Sequence, residues 1–173
     1  MPHLNIEIKA RCADPTHIIN FLTRRQADFR GEDRQIDTYF HTQSGRLKLR
    51  EGAIEHSLIY YERPDQKGPK ASEIILIRQP PEEIKALLEK TNGVKVVVDK
   101  RRKIYFIENV KFHIDRVEGL GNFVEIEAID LDGSIGRKKL LEQCNFYLQA
   151  FRIPEEDLLT ASYSDMLLQT PDE

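Results

Sequence analysis

The chain has 173 residues, with 29 acidic against 26 basic side chains, a net charge of −3, 40% hydrophobic and 32% charged residues. This length predicts one domain over residues 1–173 with a substantial core, and the near-balanced charge argues against a dedicated nucleic-acid binder. No apolar run approaches membrane-spanning length, and no basic stretch followed by an apolar core opens the chain, so a cytoplasmic protein with no membrane partner is expected.

Leu4 to Cys12 alternates apolar and polar residues and predicts a strand. Asp14-Pro15 is a helix start, with Asp as cap and Pro at the first helical position, and Ile18, Ile19 and Leu22 supply its apolar stripe. Gln35 to His41 predicts a second strand. Ser44-Gly45 turns the chain into a third at Arg46 to Arg50, followed by strands at Ser57 to Arg63 and Ser72 to Arg78. Between these two lies the polar, proline-bearing loop 64–70. Pro80-Pro81-Glu82-Glu83 begins a helix that runs to about Thr91, its acidic first turn matching the helix dipole, and Asn92-Gly93 stops it. Val94 to Ile107 reads as a long strand or bent strand pair. Lys111 to Val117 and Phe123 to Ile129 form a hairpin around residues 118–122. Ser134 is the expected cap of a third helix carrying Leu141, Cys144, Leu148 and Phe151 at helical spacing. A short helix is expected at Ser162 to Leu168, with a frayed tail at 170–173. Cys12 and Cys144 form no metal motif and are expected as free thiols.

About eight strands and three or four helices point to an α+β fold built on an antiparallel sheet, and β-rich chains of this kind often close to remove their edges. Strand side chains alternate faces, which sorts the charges. Glu125 and Glu127 share a face with Phe123, while Val124, Ile126 and Ala128 take the other. His113 and Asp115 share a face of the preceding strand. With Glu7, four carboxylates gather if the sheet curls, and hard cations such as Mg²⁺ or Mn²⁺ take such oxygen ligands. Lys48 with Arg50, and Lys100 with Arg102, form same-face cation pairs, joined by Lys9 and Arg63. For any single cation pair a solvated charged surface is the favoured reading, and it is the repetition that changes the weighing. Two like charges about 7 Å apart repel by about 2 kcal/mol at an effective dielectric near 20, so several enclosed pairs call for anions. The arrangement is then an inverted barrel, polar inside and apolar under its helices. The five histidines show no ligand spacing, and a structural role is expected for His113. Tyr60-Tyr61 and Tyr105-Phe106 are expected to pack.

Asn5-Ile6-Glu7-Ile8-Lys9 resembles the Glu-x-Glu-x-Lys signature of CYTH proteins, the triphosphate tunnel metalloenzymes. Asp37-Thr38-Tyr39-Phe40, Gly45 through Arg50, Tyr61-Glu62-Arg63-Pro64, Lys100-Arg101-Arg102 and Asp115 through Glu127 resemble the further blocks in order. The Glu-Gly-Leu-Gly block brings the chain nearest the class IV adenylate cyclase branch. The resemblance implies an eight-stranded antiparallel closed β-barrel, a tunnel with helices packed outside. It implies a metal-dependent enzyme that turns ATP into cyclic AMP and pyrophosphate, or else an inorganic or organic (thiamine, nucleoside) triphosphatase; a non-catalytic nucleotide or polyphosphate sensor is the remaining alternative. By position, Glu7, Asp115, Glu125 and Glu127 match metal-binding residues for Mg²⁺ or Mn²⁺. Lys9, Arg50, Arg63, Lys100 and Arg102 match residues that grip the triphosphate, Lys48 shares their face, and Lys9 and Arg63 are the expected catalytic pair. The partner implied is a nucleotide or other triphosphate, and the resemblance is compatible with a homodimer. The first signature glutamate is Asn5 here. Its amide oxygen can ligate a metal but carries no charge, which leaves the number of ions and the choice of metal open.

Overall fold

The computed structural model describes residues 2–169; the tail expected at 170–173 lies outside the described residues. The elements run β1 (His3–Arg11), α1 (Thr16–Arg24), β2 (Asp28–Phe40), β3 (Arg46–Glu51), β4 (His56–Glu62), β5 (Lys70–Arg78), α2 (Ile84–Thr91), β6 (Val94–Ile107), β7 (Val110–Val117), β8 (Gly121–Asp130), α3 (Arg137–Ala150), a 3-10 turn (Glu155–Asp157) and α4 (Tyr163–Gln169). The eight strands close in the order β1-β5-β4-β3-β2-β6-β7-β8, and every pairing is antiparallel. Closure leaves no free sheet edge. Among the described residues no helix is long and apolar enough to cross a membrane.

The apolar faces of the strands turn outward. Ile6, Ile8 and Ala10 of β1, Phe112 and Ile114 of β7, and Val124, Ile126 and Ala128 of β8 pack under Ile18 and Leu22 of α1, Leu140, Cys144 and Tyr147 of α3, and Phe151 just past its end. Each large side chain so buried contributes roughly 1.5–3 kcal/mol, so the main core lies between barrel and helices. A second cluster lies inside one end of the barrel. Val98, Val117, Phe123 and Tyr39 meet Tyr163 of α4 there, and α4 stoppers that end. Both cysteines are free, and the buried Cys144 Sγ donates to the Ile6 carbonyl at 3.1 Å.

Several boundaries depart from expectation. β2 starts at Asp28, well before Gln35: Asp28–Arg34 carries charges on both faces and shows no apolar alternation, yet it pairs with β6 from Asp28 opposite Phe106, with a register shift between Phe29 and Gly31. β5 takes in Lys70, whose Nζ donates to the carbonyls of Leu159 and Thr160 at 2.9 Å each. The second helix begins at Ile84 rather than at Pro80. The start of α1 lies one place later than expected, with Pro15 as its N-cap and Thr16 as its first residue, and Asp14 Oδ1 accepts from the Thr16 backbone N–H at 3.0 Å. Ser134 does not cap α3. The helix follows Gly136, which sits at φ 86° with no side-chain cap, and the Asp130 carboxylate accepts the N–H groups of Gly133 and Gly136 at 2.9 Å to shape the approach. The buried stripe of α3 consequently runs from Leu140, while Leu141 faces out at 40% exposure.

Candidate active site

The opposite faces of the same strands carry the charges into the barrel. β1 directs Asn5, Glu7 and Lys9 inward, β3 Lys48 and Arg50, β6 Lys100 and Arg102, β7 Lys111 and His113, and β8 Glu125 and Glu127. Arg63, just past β4, joins them. Nine of the ten residues expected in the site, namely Glu7, Lys9, Lys48, Arg50, Arg63, Lys100, Arg102, Glu125 and Glu127, line this one cavity. The tenth, Asp115, is buried behind Arg102.

Ion pairing within the cavity is dense. Asp37 accepts from Arg50 Nε at 3.0 Å and Nη2 at 2.9 Å, and from Lys100 Nζ at 2.5 Å, with Lys48 Nζ at 3.7 Å. Burial would raise the Asp37 pKa, but these three cations hold it well below the usual carboxylate range. Arg102 forks onto Asp115 with two bonds of 2.8 Å and reaches Glu125 at 3.2 Å. Tyr163 of α4 donates to the same Asp115 at 2.7 Å, and the Lys9 ammonium lies 3.8 Å above the Tyr163 ring. Arg63 pairs with Glu7, and Lys9 lies 3.7 Å from Glu125. Burial pulls the Lys9 pKa down to about 8 despite Glu125, so Lys9 is charged at neutral pH and loses its proton in mildly alkaline solution. Glu127 differs from the other lumen carboxylates. Burial, with Glu7 and Glu125 nearby, outweighs Lys111 and raises it to about 6.

The donor set fits a hard divalent cation. Asn5 Oδ1 and His113 Nε2 are buried polar atoms with no hydrogen-bond partner, and His113 Nε2 lies 3.8 Å from Glu127 Oε2. Ligand atoms of His113, Asp115 and Glu125 also lie within 4.8 Å of one another. A cation among the amide oxygen, the imidazole and the carboxylates would satisfy both unpaired atoms and offset the Glu127 charge. Two of the expected ligands have both oxygens already engaged, Asp115 by Arg102 and Tyr163 and Glu125 by Arg102 and His113.

His113 and Tyr61, expected to be structural, both line the cavity. Burial, Arg102 and Lys111 lower the His113 pKa to about 4, so its imidazole is neutral and available as a ligand at neutral pH. The parity of His113 with Asp115 was the available signal, as it was for Lys111. Asp37, which organises three cations, shares the parity of Tyr39. Glu55 lies in the turn between β3 and β4 and carries no periodic signal at all. The free space among these side chains is about 120 Å³, smaller than the roughly 300 Å³ or more of a typical small-molecule pocket. Ligand entry must therefore exchange internal ion pairs for ligand contacts.

The family model described as CYTH domain matches residues 3–163. A curated relative from Methanocaldococcus jannaschii, named as a candidate adenylate cyclase, is 29% identical over 182 residues, covering 94% of this chain and 98% of its own. A solved protein from Pyrococcus horikoshii superposes with a TM-score of 0.72 at 28% identity, over 93% of this chain and 98% of that one. A Hippeastrum protein, described as a candidate adenylyl cyclase with a dominant triphosphatase activity, has the same fold at a TM-score of 0.59 and 15% identity, over 95% of this chain and 94% of that one.

Proposed function

From a chain that belongs to the CYTH family, whose members are metal-dependent and act on triphosphates, we propose that this protein is a class IV adenylate cyclase, converting ATP to cyclic AMP and pyrophosphate. The observation that carries the reading is the convergence of Lys9, Lys48, Arg50, Arg63, Lys100 and Arg102 beside Glu7, Glu125 and Glu127 in one enclosed cavity. Six cations at such density suit a polyanion that exchanges with their internal carboxylate partners.

In this reading Lys48, Arg50, Lys100 and Arg102 hold the phosphate oxygens. Arg63 releases Glu7 and Lys9 turns from Glu125, so both reach the reacting phosphates. The ribose 3′-hydroxyl oxygen attacks the α-phosphorus and gives its proton to water, the bond to the bridging oxygen breaks, and pyrophosphate leaves with that electron pair. Positively charged side chains fixed around the leaving group stabilise its growing charge without reorganising, which is where such sites gain most of their rate. Glu7, Glu125, Glu127, His113 and Asn5 would hold the Mg²⁺ or Mn²⁺ ion, which polarises phosphate oxygens when bound. Asp115, held by Arg102 and Tyr163, acts by keeping Arg102 aimed into the lumen.

Water in place of the 3′-hydroxyl, attacking the terminal phosphorus, gives a triphosphatase from much the same groups. The Hippeastrum neighbour, where a cyclase name goes with dominant triphosphatase activity, makes that the second reading. Parallel assays of ATP, tripolyphosphate and thiamine triphosphate, each with Mg²⁺ and with Mn²⁺, separate the outcomes. Cyclic AMP with stoichiometric pyrophosphate supports the cyclase, orthophosphate release replaces it with the triphosphatase, and binding without turnover of any of the three leaves a sensor.

A further inference from the structure

Glu55 is the one carboxylate lining the cavity, among the described residues, that no barrel strand carries. It sits in the turn joining β3 to β4, and that turn is fastened from inside the barrel. The buried Asp33 accepts the backbone N–H groups of Ala53 at 2.8 Å and Ile54 at 3.1 Å through Oδ1, and that of Glu55 at 3.0 Å through Oδ2. A side chain on Gly52 would collide with the same carboxylate, so the turn backbone lies directly against Asp33. The Glu55 side chain accepts from Gln35 Nε2 at 2.8 Å, pairs with Lys111 and lies 3.8 Å from Arg50 Nη1. At 23% it is more exposed than Glu127 at 16%, Glu7 at 15% or Glu125 at 9%, which marks it as the solvent end of the set. Ile59, Ile74 and Leu76, with Ser57 and His3, line the rest of the same cavity.

The interior of the lumen thus gathers most of the cations, and Glu55, paired with Lys111, is its most exposed carboxylate. A chain of three phosphates on the interior cations presents its next atoms to a fixed carboxylate on one side and an apolar wall on the other. A fourth phosphate there meets like charge, while an uncharged organic substituent meets none and gains apolar contact. We propose that Glu55 is a specificity-determining residue that excludes polyphosphate longer than three units and reserves the mouth for the uncharged group of a triphosphate monoester. The assignment rests on the triphosphate reading above and narrows it.

The test is calorimetric titration of the full chain and of Glu55→Gln with inorganic tripolyphosphate and tetrapolyphosphate, at one ionic strength and without divalent metal. The unaltered protein is expected to favour the shorter chain about tenfold, the effect of one unit charge a few ångströms away at a partly hydrated mouth. Glu55→Gln should erase that preference, chiefly by gaining affinity for tetrapolyphosphate, and Glu55→Ala should do the same. Equal gains for both chains would mean that Glu55 only competes for Lys111 and Arg50, and would overturn the assignment, as would an unaltered protein with no preference. An unaltered protein that binds neither chain, also after Mg²⁺ is added, would instead remove the triphosphate reading itself.

Discussion

Glu127 is the lumen carboxylate with the weakest compensation. Its folded pKa, raised to about 6 from an ordinary 4.5, means that the fold takes up a proton more readily than the unfolded chain does. The ionised form is therefore disfavoured by folding. The penalty is complete above pH about 6, fades as pH falls from there to about 4.5, and is gone below that, where both states are protonated. The difference amounts to about 1–2 kcal/mol after local relaxation. Glu127→Gln is expected to stabilise the metal-free protein by that much at pH 7.5 and by little at pH 4.5, read by urea denaturation at each pH. A loss of stability at pH 7.5 would show that Glu127 is paired more strongly than its neighbours suggest. At this scale the sequence was legible wherever a two-residue period applied. Glu7 with Lys9, Lys48 with Arg50, and Glu125 with Glu127 announce their common face. Glu55 announces nothing, because its place depends on Asp33 gripping three backbone N–H groups across a turn, and no local pattern encodes that.

Among the elements, α4 does the most with the least. Seven residues, Tyr163–Gln169, close one barrel end. They put the Tyr163 ring on Phe123 at 5.0 Å between centroids and its hydroxyl on Asp115, while Arg46 donates to Asp165 at 2.5 Å. A helix this short has little stability of its own, so these contacts hold it. Tyr163→Ala should cost about 3–5 kcal/mol, whereas Tyr163→Phe, which removes only one hydrogen bond to a charged group, should cost about 1.5–3 kcal/mol. Chemical denaturation of both variants checks this, and an alanine variant as stable as the parent would mean that α4 does not hold the end. The helix was visible in sequence near Ser162, but its stoppering role was not, since Val98, Val117 and Phe123 read as ordinary strand residues on the charged face. The first half of β2 was hidden for the opposite reason. With charge on both sides of Asp28–Arg34, only its pairing with β6 makes it a strand.

For the molecule as a whole, the inward-polar and outward-apolar sorting was readable because strands with one greasy and one ionic face, together with helices bearing single stripes, have few ways to satisfy both faces. Closure followed from the family resemblance and not from the residue pattern, since it depends on β1 pairing with both β5 and β8. The crowded lumen predicts a large response to anions. Tripolyphosphate at a hundredfold excess over its Kd adds about 2.7 kcal/mol to stability, a rise in Tm of roughly 5–10 °C for a chain this size. Lys48→Ala, whose side chain is only 14% exposed but whose loss leaves Asp37 with two other cations, should shrink that rise. Arg50→Ala and Lys100→Ala should shrink it further from lower baselines, because each leaves Asp37 less compensated. Full retention of the rise in all three variants would detach these residues from anion binding.

The closed ring also sets the order in which a newly made chain can assemble. β1 is the first strand to leave the ribosome, yet its neighbours, beginning with His3 opposite Ile74 and Leu4 opposite Asp130, are among later-made segments. During synthesis its two edges stay bare until β5 and then β8 arrive, which puts ring closure after the local hairpins β3–β4 and β7–β8. Pairings so distant along the chain make for slow folding, and the waiting interval is when this protein is most open to aggregation through an unsealed strand.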